Sequence, residues 1–303
     1  MFVKKNMIKI KGFGIIEQIL PIETKFLTRE KYFKFPYVDG KQIRQRLFKT
    51  PIIKELKDIT KNDYIGTEIN QKSIPIMWDG VEVANPHYLT TKVKNDLNLN
   101  DENFWWFVGR VIADGWVISY KRKNRRNGYI HKVVLCCGKH EFEYVKKRLS
   151  DLQYTATISE ERTVYKFTIH NTELWEFLNK FGRYSYGKFI PDDVINMPID
   201  MLEKMLEGYF SGDGYIDKRG NQTMATVSEK LAETLKKCIS KVYKVPVKHY
   251  LNDRSKFSHS IEGRLVNQRA SHILSFKKEV KKQDKGFYED GYTWAPLSKI
   301  ELI

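Results

Sequence analysis

Over the first hundred residues, short runs rich in β-branched and aromatic side chains alternate with turn signals. Ile8–Gln18 and Lys31–Val38 read as strands, and Asp39-Gly40 is a hairpin-type turn signal. Lys54–Ile59 has room for one helical turn before the polar stretch Thr60–Asp63, and Pro51, Pro75 and Pro86 punctuate the region. The expected product is a small β-rich unit over residues 1–98. Residues 96–103 are polar and carry a helix-start signal, which puts a boundary there.

From residue 103 the pattern changes to longer periodic segments and repeats once. The first half opens with an apolar helical run, Phe104–Asp114, ending at Gly115. Strands follow near 116–121 and 129–137, a helix near 140–150, strands near 154–159 and 163–170, and a helix near 172–182. The second half opens with Met201–Asp213, ending at Gly214. Strands follow near 215–218 and 222–227, a helix near 228–241, strands near 246–252 and 264–274, and a helix near 276–284. Each half reads helix, two strands, helix, two strands, helix, over 99–195 and 196–290. Gly291–Ile303 returns to strand character and is a candidate to complete the N-terminal unit. The two Asp-Gly pairs are 213 − 114 = 99 residues apart, and a duplication of that period outweighs any single motif.

Composition adds a partner class. The chain has 303 residues, 41% hydrophobic, with 53 Lys and Arg against 37 Asp and Glu, a net charge of +16. That is enough apolar material for real cores, and the positive field points to a polyanion. No apolar run approaches the ~20 residues of a membrane span, and Met1–Lys5 lacks the apolar stretch of a secretory signal. Cys136, Cys137 and Cys238 show neither a disulfide framework nor Cys-x-x-Cys spacing. A soluble, non-secreted protein of the cytoplasm or nucleoid is expected.

The chemistry lies in the repeated helix ends, Phe107-Val108-Gly109-Arg110-Val111-Ile112-Ala113-Asp114-Gly115 and Leu206-Glu207-Gly208-Tyr209-Phe210-Ser211-Gly212-Asp213-Gly214. Gly109 and Ala113 are four apart, as are Gly208 and Gly212, so each helix carries a face of small residues along which two backbones can approach closely. The two helices are expected to pack about a pseudo-twofold axis. Each Asp then sits at the negative end of a helix dipole, which costs roughly 0.3–1 kcal/mol when exposed. Close packing adds repulsion between the carboxylates, and a divalent cation removes both costs. Paired carboxylates holding hard metals in a basic protein suit hydrolysis of a phosphodiester. One Asp-Gly after a helix is usually only a turn; two, with matching surroundings, favour function.

These segments resemble the paired motifs of the LAGLIDADG homing endonucleases in their single-chain form, over about residues 100–290. The second motif is the nearer match; Arg110 and Ile112 depart from the family string, where apolar and acidic residues stand. The resemblance implies an α+β fold: a pseudo-twofold tandem αββαββα saddle whose sheets straddle DNA, beside an extra N-terminal β-rich unit. It implies cleavage of both strands of double-stranded DNA at a long asymmetric site by a monomer, with Mg2+ (Mn2+ substituting). Asp114 and Asp213 match the metal-binding aspartates, with Ala113 and Gly212 counted to the metal site. Lys188, in Gly187-Lys188-Phe189-Ile190-Pro191, and Lys285, in Asp284-Lys285-Gly286-Phe287, lie 188 − 114 = 74 and 285 − 213 = 72 residues after the aspartates. Similar Lys-x-Ile-Pro segments close the first half in intein-type members, where a basic residue serves the active site.

For DNA contact, Lys121, Arg122, Lys123, Arg125 and Arg126 precede the hairpin signal Asn127-Gly128, with Lys132 beyond it; Lys218, Arg219 and Asn221 hold the corresponding turn in the second half. A solvated hairpin tip is the commoner fate of one charge run, and equivalent placement in both repeats favours DNA. Lys41, Arg44, Arg46 and Lys49 would suit a DNA-binding arm. Lys54–Ile65 and Gly291–Ile300 resemble the segments that flank the endonuclease insert in inteins, so the β-rich unit is expected to be Hint-like. Self-splicing is not expected: residue 1 is Met, the N-terminal unit has no Thr-x-x-His, and the chain ends Glu301-Leu302-Ile303. The rival reading is a non-cleaving binder of the same fold, an RNA maturase or a DNA-binding regulator.

Overall fold

A computed structural model describes residues 6–84, 91–121, 129–253, 258–261, 264–267, 269–280 and 284–303. The chain divides into two units. One joins Met1–Gln71 with Ile216–Thr223 and Ile239–Ile303; the other joins Lys72–Tyr215 with Met224–Cys238. Among the described residues no helix is long and apolar enough to cross a membrane.

The first unit is built on an antiparallel sheet. Its strands run in the order Ile15–Pro21, Met7–Gly12, Tyr292–Leu302, Asp63–Glu68, Lys25–Lys34, Gln45–Phe48, with Phe287–Glu289 and Ile52–Glu55 branching off. The last strand is therefore central: Ile10 pairs with Ile300, and Ile65 pairs with Ala295. Ile8, Ile10, Leu56, Ile59, Ile65 and Leu297 form its core. Asp39 and Gly40 take φ of +51° and +72°, the left-handed pair that closes a two-residue hairpin between Tyr37–Val38 and Lys41–Gln42. The expected single helical turn is a 3-10 turn at Leu56–Asp58. The run Ile8–Gln18, read as one strand, is instead a hairpin. Gly14 adopts φ of +80° and reverses the chain inside it, a break that the β-branched residues on either side masked.

Asp63, fully buried in this unit, accepts hydrogen bonds from Lys54 Nζ at 2.7 Å and from Thr60 N at 2.8 Å and Thr60 Oγ1 at 3.0 Å. Burial pushes its carboxyl up, but these donors outweigh it and hold it below the usual range. The basic residues read as an arm are largely engaged inside the unit. Arg44 lies 3.8 Å from the centre of the Phe33 ring, Arg46 donates to Tyr64 and to the Asp284 carbonyl, and Lys49 pairs with Glu30 at 2.9 Å. Lys41 is exposed.

In the second unit the helix Glu102–Asp114 starts where the polar stretch placed it. Asp101 caps it, accepting from Asn103 N at 2.7 Å, and Phe104 to Val108 are all buried. A four-stranded antiparallel sheet follows, in the order Gly115–Lys121, Tyr129–Gly138, Val164–Ile169, Ala156–Glu160. The helices Phe142–Asp151 and Thr172–Asn179 cover one of its faces, where Leu135 and Phe167 are buried and the Trp175 ring packs at a tilt against His131. Glu173, fully buried on the second of these helices, accepts from Trp78 Nε1 at 2.9 Å and from the Asp96 amide at 2.9 Å, which ties the segment after residue 72 to this unit.

The second repeat starts with the helix Ile199–Asp213 and continues along the chain through Gly214–Ile216, Gln222–Thr226, the helix Glu229–Tyr243 and the paired strands Lys248–Asn252 and Ser271–Phe276. The expected helix near 276–284 is absent: Phe276 ends a strand, and residues 277–280 and 284 are not helical. The segment Lys277-Lys278-Glu279-Val280 and its continuation to Asp284 offer one apolar residue, so a helix there has no face to bury. The strand expected over 264–274 is two strands, Arg264–Asn267 and Ser271–Phe276.

Candidate functional site

The helices Glu102–Asp114 and Ile199–Asp213 cross where neither carries a side chain. A β-carbon on Gly109 would overlap the Met205 carbonyl and stand 2.8 Å from the Tyr209 amide nitrogen. A β-carbon on Gly208 would overlap the Trp106 carbonyl and stand 3.0 Å from the Arg110 nitrogen. The two descriptions are the same contact seen twice, because 208 − 109, 205 − 106 and 209 − 110 all equal the 99-residue offset of the repeat. One turn on, Gly212 meets the Ala113 side chain and the Asp114 carboxylate in the same way. The predicted faces of small residues are thus in contact.

Both helices end alike. Gly115 and Gly214 leave in extended backbone, at φ of −114° and −113°, so each chain passes from helix to strand within one residue and leaves an Asp at the helix end. The Asp114 carboxyl is pushed up by burial and by Glu141, against the pull of Arg110 and Lys188. Asp213 is exposed as a residue, yet its carboxyl sits among dense protein. Burial first and the charge of Asp114 second push it up to about 6, against Lys188, Arg110 and a hydrogen bond with Tyr209. Asp114 is therefore near enough to raise Asp213, as the helix crossing requires.

Lys188 joins them. Its ammonium donates to the carbonyls of Ile112 at 2.6 Å and Gly115 at 2.8 Å, with longer approaches of 3.4 Å to those of Val111 and Ala113. Those of Ile112 and Ala113 lie in the last turn of the first motif helix, which has no basic residue of its own, while that of Val111 also accepts from the Gly115 amide. Burial lowers the Lys188 ammonium to about 8, while Asp213 and Asp114 hold it up. The lysine keeps its proton at neutral pH and lends charge to both carboxylates while capping the helix.

Arg110 belongs to the same cluster, and the sequence reading placed it only as a departure from a motif. It is 2% exposed, and its Nη2 lies 3.2 Å from Asp114 Oδ2 and 2.9 Å from Glu141 Oε2, with Nη1 donating to Ser211 Oγ at 3.2 Å. An arginine four residues before an aspartate on one helix is the signal that could have found it. Among the described residues no group of three or more His, Cys, Asp and Glu side chains is arranged to hold a metal ion.

The remaining candidates are spread out. On the open face of the first-half sheet, Lys132 lies 5.2 Å from the Tyr120 ring centre, in register with Ile118. Lys166 shares that face beside Trp116 and pairs with Glu161; the sequence reading overlooked it for want of a charge run. Lys121 points to the other face, at the strand's end, opposite Tyr129. Arg122, Lys123, Arg125, Arg126 and the Asn127-Gly128 turn lie outside the described residues. In the first unit, Lys218 and Arg219 are exposed on a turn whose frame is Asp217; its carboxylate accepts from the amides of Arg219 and Asn221, and from Asn221 Nδ2 at 2.7 Å. Lys285 is exposed in the first unit, just before Phe287–Glu289.

Asp213→Asn tests the electrostatics apart from any activity. A carboxyl raised in the folded state contributes stability that is fully present below its unfolded value near 3.8 and is lost as pH rises through about 6. Calorimetry of the variant is expected to show Tm unchanged at pH 3.5 and raised by about 1–3 °C at pH 8, a modest gain because water screens the site.

Comparison with known proteins points the same way. Residues 200–280 match the family model of a LAGLIDADG-like domain. "Uncharacterized protein MJ1054" of Methanocaldococcus jannaschii is 28% identical over 155 residues, which is 45% of this chain and 16% of that protein. The chain thus spans about a sixth of the length of that curated relative. Among solved structures, I-DmoI in complex with DNA and Ca is similar at a TM-score of 0.42 and 13% identity, over 57% of this chain and 82% of that one. The N-terminal LAGLIDADG domain of DUF199/WhiA is similar at a TM-score of 0.35 and 10% identity, over 58% and 74%. The helix pair with its two Asp-Gly ends and the matched domain support a LAGLIDADG-like homing-endonuclease fold of the α+β class.

Proposed function

We propose that the chain is a site-specific endonuclease that hydrolyses both strands of double-stranded DNA with a divalent metal. The observation that carries this is the meeting of Asp114 and Asp213 at the ends of two helices held together by glycine, both raised by burial and Asp213 also by the charge of Asp114. A fold built for stability has no use for two such carboxylates. Their chemistry fits a hard divalent cation, which relieves both burial and repulsion. Asp114 and Asp213, with the backbone of Ala113 and Gly212, would hold Mg2+ or Mn2+, which supplies positive charge to the phosphodiester as it is hydrolysed. Lys188 holds the Asp114 end of its helix in place and adds positive charge near the reacting phosphate. Lys285 is assigned the corresponding part in the second half.

Double-stranded DNA is read as the polyanion from the net charge of +16 and from the open sheet face with Lys132 and Lys166. Lys121, Arg122, Lys123, Arg125, Arg126, Lys218, Arg219 and Asn221 are further DNA contacts in this proposal, and the two unlike halves imply a monomer on an asymmetric site. The Hint-like character of the first unit is part of the same reading; it is supported by the strand Tyr292–Leu302 running between strands from the start of the chain, and the lack of a Thr-x-x-His element argues against splicing.

A cleavage selection is the direct test. The protein is incubated with a randomised or source-genome DNA library, with Mg2+ and with EDTA. Ends that form only with Mg2+ identify the nuclease and its site; tight, salt-sensitive binding without ends sinks it. That second outcome belongs to the rival reading, a non-cleaving nucleic-acid binder, which Arg110 favours by engaging one of the two carboxylates. For the DNA face, Lys132→Ala with Lys166→Ala is expected to lower the slope of log K against log salt by about 2 without moving Tm, one released counterion for each lysine.

A further inference from the structure

The two carboxylates are related by the repeat, but their neighbours are not. Residue 110 plus 99 is residue 209, so Arg110 and Tyr209 occupy equivalent positions, each four residues before its aspartate. Arg110 places a guanidinium 3.2 Å from Asp114, and Glu141 anchors it from the other side at 2.9 Å. Arg110 Nε has no hydrogen-bond partner in this packing, so the guanidinium is held by its ion pairs rather than by a full set of bonds. Tyr209 is 1% exposed, and its single hydroxyl proton has two acceptors in reach, the Ala225 carbonyl at 2.6 Å and the Asp213 carboxylate. One carboxylate thus has a resident cation and the other a neutral phenol. The charges of Lys188 and Arg110 also reach Asp213, but the guanidinium is ion-paired with Asp114 alone of the two.

We propose that Arg110 is a positioning residue that makes the two carboxylates unequal, so that a divalent cation is taken up first at Asp213 and second at Asp114, and the duplex is cut in two ordered nicks. This rests on the metal-dependent reading above. A cation arriving at Asp114 must compete with a guanidinium already paired there; one arriving at Asp213 meets no such competitor.

The test uses Mn2+ alone, with free Mn2+ counted by electron paramagnetic resonance against the full chain in the absence of DNA. The wild type is expected to bind in two phases about tenfold or more apart. Asp213→Asn removes the tighter phase, and Asp114→Asn removes the weaker one. Arg110→Lys keeps the phases apart, whereas Arg110→Gln combined with Glu141→Gln, which removes both charges together, brings them within about threefold. Thermal unfolding of each variant checks that it folds; should the double variant fail to fold, the two aspartate variants decide the matter. Equal phases in the wild type, or loss of the tighter phase in Asp114→Asn, overturns the proposal and leaves the nuclease standing. No Mn2+ uptake at all overturns the metal reading itself. Once a target is identified, the same order is expected as a nicked intermediate that accumulates at low Mn2+ in the wild type and not in the double variant.

Discussion

Asp213→Asn abolishes double-strand cleavage, with an expected loss of about a thousandfold or more in rate, while DNA affinity at fixed salt stays within about twofold. The side chain keeps its size and its place at the helix end beside Tyr209; what goes is the charge that would attract a metal. Because the uncharged form is the one that burial already favours, the variant folds at least as well as the parent, and lost cleavage cannot be ascribed to lost structure. Asp114→Asn is expected to behave likewise for the other strand, with a smaller change in folding because Arg110 and Glu141 then keep a closer match of charge. The measurement is the time course of supercoiled, nicked and linear DNA carrying the selected target. A variant that linearises the plasmid at the parental rate would remove Asp213 from the chemistry.

Much of this site was legible in sequence because its signals are local. A helix that ends in Asp-Gly, with small residues four apart, states its own packing face, and the 99-residue repeat states its partner. Trp105 and Trp106, in the apolar helical run Phe104–Asp114, are 1% and 2% exposed. The role of Lys188 was half legible: its spacing from Asp114 pointed to the site, but that it would cap the first helix depends on a chain crossing that no spacing encodes.

Arg110 was the larger omission. Judged as a residue on an apolar helix face, it looked like a departure from a pattern. Its setting depends on an ion pair with Glu141, brought near by the strand pair between them, and on a hydrogen bond to Ser211 of the other helix. The missing helix after Phe276 failed for the opposite reason. The first half was projected onto the second, while the local residues Lys277 to Asp284 had no apolar face to offer. A repeat predicts position well and local stability only where the side chains repeat too.

Gly208→Ala is expected to cost roughly 3–5 kcal/mol and to leave most of the protein unfolded or aggregated at 37 °C. In an isolated helix the same change would help, by about 1 kcal/mol, because alanine is the better helix former. The sign reverses here because the new methyl group falls on the Trp106 carbonyl, a backbone atom in a helix that cannot rotate aside. The helices would have to separate, and the buried contacts along the crossing would loosen with them. Gly109→Ala meets the Met205 carbonyl from the other side and is expected to cost the same within about 1 kcal/mol, since the repeat makes the two contacts equivalent. Gly220→Ala, on an exposed turn where nothing lies near the added carbon and only φ of +76° resists it, serves as the control, at about 1 kcal/mol. Urea unfolding of the three variants checks the ranking. Parental stability in Gly208→Ala would mean that the helices do not cross at these glycines, and with that crossing would go the argument that brings Asp114 and Asp213 together.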